Sequence, residues 1–248
     1  MKRDELVSYL DELLQSQRFK DYCPNGLQVE GSNDVKRIVA GVTASQALID
    51  AAIERRADTL LVHHGWFWRG EDGRVTGFRK ARLQAMLKHE INLIAYHLPL
   101  DGHPDLGNNA GLGKRLGWQS EGRFGDQDIG WTGHLEAPRR LADLQADVAR
   151  ELRRDPLVIG QPDRRIERIA WCSGGGQGFF EEAVKLGVDA FLSGEISEHS
   201  VHLARECGVA FIAAGHHATE RFGVEALASH VQERFGLSCE FVDIDNPV

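Results

Sequence analysis

No stretch of this 248-residue chain approaches the roughly 20 consecutive apolar residues a helix needs to cross a bilayer, so no membrane span is expected. The N-terminal MKRDELVSYLDELL is amphipathic and acidic, and it lacks the apolar core of a secretory signal. Cysteine is scarce. Cys23, Cys172, Cys207 and Cys239 are scattered and form no CxxC pair, which reads as reduced thiols in a cytoplasmic protein. Positive charge is in deficit as well: 29 Lys and Arg stand against 37 Asp and Glu, for a net charge of −8. Nucleic-acid binding rests on Lys/Arg–phosphate pairing, so a wrapper of DNA or RNA is disfavoured. A nucleotide in a metal-lined pocket remains compatible, because bound cations reverse the local sign. Familiar catalytic signatures are missing too. HEIN at His89 continues with Leu93 and is no HExxH, and neither a GxSxG elbow nor a Walker A loop occurs.

What is present is an ordinary globular composition. Hydrophobic residues make up 42 %, enough for a real core, and 27 glycines imply many tight turns. The length suits one large or two modest domains. Leu6, Leu10, Leu13 and Leu14 recur at helical spacing and predict an opening helix. After the turn-rich CPNGLQVEG, short apolar runs alternate with helix-like stretches. The runs are 38–42, 59–62, 91–96, 129–136, 169–172, 190–193, 210–214 and 239–243. The helix-like stretches are 45–56, 79–88, 139–153, 179–186, 197–207 and 219–235. That alternation predicts an α/β fold with βαβ units and mostly parallel sheets. The polar, glycine-containing 122–128 is the natural place for a boundary.

Three clusters of metal-ligating side chains follow strand-like runs. LVHHGWFW places His63 and His64, AYHLPLD places His97 and Asp101, and AAGHHATE places His216, His217 and Glu220. In open α/β sheets ligands bind outside the carboxyl ends of the strands, and all three clusters lie at that end. Imidazole and carboxylate together suit Zn, Mn, Fe, Co or Ni. His216 and Glu220, four apart at a helix start, project on one face. Adjacent His63 and His64 at a strand end can reach two different ions, with Asp101 or Glu220 as a bridging carboxylate. His97 is open between ligand, outer partner of a ligand and proton shuttle. His89, His103, His134 and His230 stand alone and read as core or surface residues.

LVHHGWFWRGE, AYHLPLDGHPDLGNNAGLG, SGGGQGFFEEAVKLGVDAFLSGEISEH and AAGHHATERFGVEAL, in order from about residue 24 to 226, resemble the signature blocks of YbgI-like proteins. These belong to the NGG-interacting-factor-three family, often labelled GTP cyclohydrolase 1 type 2 homologues. The resemblance implies a dinuclear-metal protein of two interlaced α/β domains assembling as a toroidal homohexamer. It implies His63, His64, Asp101, His216 and Glu220 as ligands of two divalent ions, with Glu220 touching both. It also implies a metal-binding domain of residues 1–125 plus 215–248, with residues 126–214 inserted. The middle domain that some members carry has no room here.

The remaining motifs have bland and sharp readings. SGGGQGFF follows a strand and opens a helix. It departs from GxGxxG at Phe179 and is either a tight βα turn or an anion cradle. SGEISEHSVH offers Glu195, Glu198, His199 and His202; His199 either assists proton transfer or sits on a solvated helix start. Trp66, Phe67 and Trp68 are core residues or a stacking surface. The expected activity is metal-dependent hydrolysis of a small nucleotide-like substrate, cyclohydrolase-like, with water activated at the metal centre. His97 or His199 would move the proton. The rival expectations are a non-catalytic metal-binding ring acting as scaffold or regulator, and a protein acting on damaged nucleic acid.

Overall fold

In the computed structural model, which describes residues 1–248, the chain separates into two compact units. The first comprises Met1–Gly107 and Gly223–Asp245, the second Asn108–Phe222 and Asn246–Val248. The first unit begins with α1 (Arg3–Leu14), β1 (Gly26–Val29), β2 (Arg37–Thr43), α2 (Gln46–Glu54), β3 (Thr59–His64), α3 (Gly77–Lys88), β4 (Asn92–Ala95) and α4 (Leu98–Gly102). The second contains α5 (Asn108–Leu116), β5 (Trp118–Phe124), β6 (Gly130–Arg140), α6 (Leu141–Leu152), β7 (Leu157–Ile159), β8 (Arg165–Cys172), α7 (Phe180–Lys185), β9 (Ala190–Ser193), α8 (Glu198–Cys207), β10 (Ala210–Ala213) and α9 (His216–Thr219). α10 (Arg221–Phe235) and β11 (Ser238–Phe241) follow.

The five-stranded sheet of the first unit has the order β1-β4-β3-β2-β11. β4, β3, β2 and β11 run parallel, and β1 is an antiparallel edge. β2, β3 and β4 read as nearly unbroken apolar runs because both faces of this sheet are covered. Ile38, Ala40, Val42, Leu61 and Ile94 point to one face. There they meet Leu6, Leu10 and Leu14 of α1 and Val224, Leu227 and Val231 of α10. The alternate positions Val39, Leu60, Val62 and Leu93 face Leu48, Ile49 and Ala52 of α2 and Met86 of α3. α2 starts at Ser45, whose Oγ accepts the Leu48 N–H at 3.3 Å. The register sets Thr43 beside His64, so the chemistry-bearing ends of β2 and β3 finish level.

The second unit holds a six-stranded sheet, β5-β6-β8-β9-β10-β7. β8, β9 and β10 are parallel, whereas β5–β6, β6–β8 and β7–β10 are antiparallel. Both sheets are thus mixed, and the expectation of mostly parallel pairing is corrected for this one. The physical reason is local. Gly125, at φ 79°, and the short turn 126–128 bring β5 back into β6 as an antiparallel hairpin, and β7 is a short antiparallel edge on β10. The polar segment 122–128 is the end of β5 and this turn. Leu141, Leu144, Val148 and Leu152 of α6 pack with Trp118, Trp131 and Trp171 into one core. Phe180, Phe191 and Phe211 form an aromatic cluster, Phe180 stacked on Phe191 and both meeting Phe211 edge-on. No helix is long and apolar enough to cross a membrane.

Candidate metal centre

In the first unit, parallel β2, β3 and β4 deliver their carboxyl ends to one edge of the sheet. His63, the last residue but one of β3, is fully buried, and its Nδ1 meets the Tyr96 carbonyl, just past β4, at 2.9 Å. A carbonyl only accepts, so this contact protonates Nδ1 and assigns the lone pair to Nε2. That Nε2 lies 3.5 Å from Oδ1 of Asp101, itself buried on α4. His64 places Nδ1 3.2 Å from the Thr43 hydroxyl. His97, the residue before α4, places its Nδ1 2.7 Å from Oδ1 of Asp21. Ligand-capable atoms of His63, His64 and His97 all fall within 4.8 Å of one another. Trp68 meets the His97 ring edge-on at 4.9 Å between centroids. Burial would raise the Asp21 pKa, but hydrogen bonds led by that from His97 outweigh it and hold the carboxyl at about 2.

In the second unit, His216 opens α9 directly after β10 and Gly215. Its Nδ1 lies 2.6 Å from Oε1 of Glu195, and its Nε2 lies 3.0 Å from Oε2 of buried Glu220. Desolvation pulls the His216 pKa down, but Glu220 and then Glu195 overcome it and raise it to about 9. The pocket thus favours positive charge so strongly that it retains a proton where none is usual. A metal ion would displace that proton. The SGGGQG turn walls this pair. Gly174 has φ +60°, and a Cβ there would run into Glu220 Oε1 and approach His216 Nε2 to 3.1 Å. Its N–H donates to Thr219 Oγ1 at 2.9 Å, and its carbonyl accepts from Ser193 Oγ and the Glu195 N–H. The glycine run therefore packs against a His–carboxylate pair.

These donors fit divalent cations. Two ligand atoms bound to one ion at about 2 Å in tetrahedral array sit about 3.3 Å apart, close to the His63–Asp101 and His216–Glu220 separations. Ligand histidines ordinarily give their other nitrogen to a carboxylate, carbonyl or similar partner, as the Nδ1 atoms here do. Within the first unit His63, His64, His97 and Asp101 come together, and within the second His216 and Glu220. His199 is exposed on the first turn of α8; the carboxylate that reaches His216 is Glu195. His103 accepts the N–H groups of Asp105 and Leu106, and His230 pairs with Tyr9 at 2.6 Å, so both are structural. Sequence reading missed Asp21, Asn25 and Gly174. Asp21 and Asn25 flank CP in a turn, a signal for backbone-capping side chains rather than for a site.

Comparison with known proteins agrees along the whole chain. Residues 1–247 match the model of the Duf34/NIF3 (NGG1p interacting factor 3) family. A Neisseria meningitidis protein named GTP cyclohydrolase 1 type 2 homolog is 54 % identical over 245 residues, 99 % of this chain and 98 % of that one. A Pseudomonas aeruginosa protein of the same name is 52 % identical over 247 residues, 98 % of this chain and 97 % of its own. Among solved structures, protein ybgI, described as of unknown function, superposes with a TM-score of 0.96 at 46 % identity, all of both chains being covered. A Thermus thermophilus protein does so at 0.91 and 37 %, again over the full length of both.

Proposed function

The chain belongs to the Duf34/NIF3 family, and from that premise we propose that it is a dinuclear metal-dependent hydrolase acting on a small nucleotide-like substrate. His63, His64, Asp101, His216 and Glu220 would hold two divalent ions through imidazole nitrogens and carboxylate oxygens. The observation that carries this reading is the tethering of each imidazole. His63, His64 and His216 have Nδ1 against an oxygen, and His63 and His216 also set Nε2 against a buried carboxylate. When bound, such ions polarise a substrate oxygen and make water nucleophilic at neutral pH. The protein's own part is to fix the ligands, and His97, beside His63 and His64, receives or returns the proton. The relatives' name points to ring opening in GTP, and the −8 charge suits a small anion neutralised by metal better than a polymer.

The test is elemental analysis of purified protein followed by a nucleotide-hydrolysis screen with wild type, His63→Ala and Glu220→Ala. Two metal equivalents, turnover of at least one nucleotide and loss of both in the variants are expected. Variants that bind metal normally, in a protein inert toward every nucleotide, would overturn the assignment. The family's description by an interaction supports a second reading, a homohexameric toroid that serves as scaffold or regulator. Saturated coordination without exchangeable water would favour it. The four cysteines, none of them in a disulfide, suit a cytoplasmic setting for either.

A further inference from the structure

His97 is held by residues outside the proposed ligand set. Asp21, in the loop between α1 and β1, has a side chain only 3 % exposed. Its Oδ1 accepts from His97 Nδ1 at 2.7 Å and from the Tyr22 N–H at 2.6 Å. Its Oδ2 accepts from Asn25 Nδ2 and from the Leu98 N–H, both at 2.9 Å. Asn25 completes the clamp, since its Oδ1 accepts the His97 N–H at 2.8 Å. Backbone N–H groups donate only, and committing the Asn25 oxygen to His97 turns its NH2 toward Asp21. The carboxylate therefore faces donors on every side, and His97 meets it with a protonated Nδ1. The lone pair of His97 then resides on Nε2. The ring centroid is 5.2 Å from that of His63 and 5.7 Å from that of His64, and Trp68 blocks rotation from the side.

We infer that Asp21 and Asn25 are positioning residues that lock His97 in the Nδ1–H tautomer, so that Nε2 is the nitrogen available beside the His63–His64 pair. The consequence for metal or substrate rests on the dinuclear reading, whereas the tautomer itself does not. Replacing Asp21 by Asn puts an NH2 among donors. The backbone N–H groups cannot reverse, but the imidazole can, by moving its proton to Nε2. Asp21→Glu keeps an acceptor-only carboxylate and is the conservative rescue. Asn25→Ala removes the second arm of the clamp and leaves the carboxylate in place.

The experiment uses full-length, metal-free protein labelled with 15N-histidine, with His97 identified by comparison with His97→Gln. In wild type, long-range 15N–1H correlations should show a protonated-type Nδ1 and an unprotonated-type Nε2. Asp21→Asn should reverse the pattern, Asp21→Glu should restore it, and Asn25→Ala should leave the tautomer but broaden the signal. Titration with Zn2+ alone should then show binding in wild type and in Asp21→Asn alike, because the clamp acts on His97 and leaves the five proposed ligands in place. A wild-type His97 protonated at Nε2, or an unchanged pattern in Asp21→Asn, would overturn the inference. A correct tautomer in a protein that binds no Zn2+ would sink the dinuclear reading and leave the clamp standing.

Discussion

The His63–His64–His97 cluster of the first unit and the His216–Glu220 pair of the second meet different physical problems. The first is solved by sheet geometry. Two of its imidazoles sit at the end of one strand and the third just beyond the neighbouring parallel strand, and their tethers are a carbonyl, a hydroxyl and the Asp21 clamp. The second is solved by charge and close approach. One imidazole lies between two carboxylates, and a glycine turn lets the backbone come where a side chain would not fit. The first arrangement fixes ring orientation, and the second favours positive charge at His216.

The largest effect should come from removing a donor on either side. His63→Ala and Glu220→Ala should each lower metal affinity by more than about 100-fold, beyond the range for losing an outer partner, as read by calorimetry with Zn2+. If only one of the two weakened binding, the proposed set of five ligands would be wrong. Next, Gly174→Ala should destabilise the protein by about 1–2 kcal/mol from its left-handed backbone alone, with further loss from displacing Glu220. Gly178→Ala, which meets nothing within 4 Å and has no positive φ, should stay within about 0.5 kcal/mol in the same denaturation series.

The electrostatic half of the contrast is tested by pH. His216 has a folded pKa raised from 6.5 to about 9. Its stabilising contribution is therefore complete below about 6.5 and is lost as pH rises through 9. Metal-free protein should lose melting temperature across that window, and metal-loaded protein should not, because the ion replaces the proton. A flat metal-free profile would show that the second unit does not gather positive charge. The smallest effect concerns the thiols. Burial and the Asp21 charge push the Cys23 pKa up to about 12, whereas Cys207 is exposed, so native protein at pH 8 should be alkylated at Cys207 and not at Cys23. Modification of Cys23 would mean that the loop carrying Asp21 opens.

Much of the fold was legible because long runs carry a period. α1, α2, α6, α8 and α10 lie within a few residues of their expected places, and so do β2, β3, β8, β9 and β10. β1, β5 and β7 were not anticipated. β1 hides in a turn-rich stretch, β5 (WQSEGRF) is largely polar because much of it faces solvent, and β7 is three residues long. α4 (LPLDG) and α5 (NNAGLGKRL) were not anticipated either: they are short, and Pro, Gly or Asn dilute the helix formers among them. At the site, His63, His64, Asp101, His216 and Glu220 were conspicuous as residue types after strands. Asp21, Asn25 and Gly174 were not, and Glu195 stood out only as part of SGEISEHSVH, since nothing local marks which distant imidazole they will touch.

By itself, the amino-acid order determined which side chains could bind a cation and that strands would carry them to their carboxyl ends, because ligand chemistry and hydrophobic period are local properties. Only the tertiary structure decided which nitrogen of each histidine meets an acceptor, which glycine must stay bare, and which carboxylates lie against His97 and His216. Those depend on contacts between residues 21 and 97, 174 and 220, or 195 and 216, whose separations along the chain carry no periodic signal.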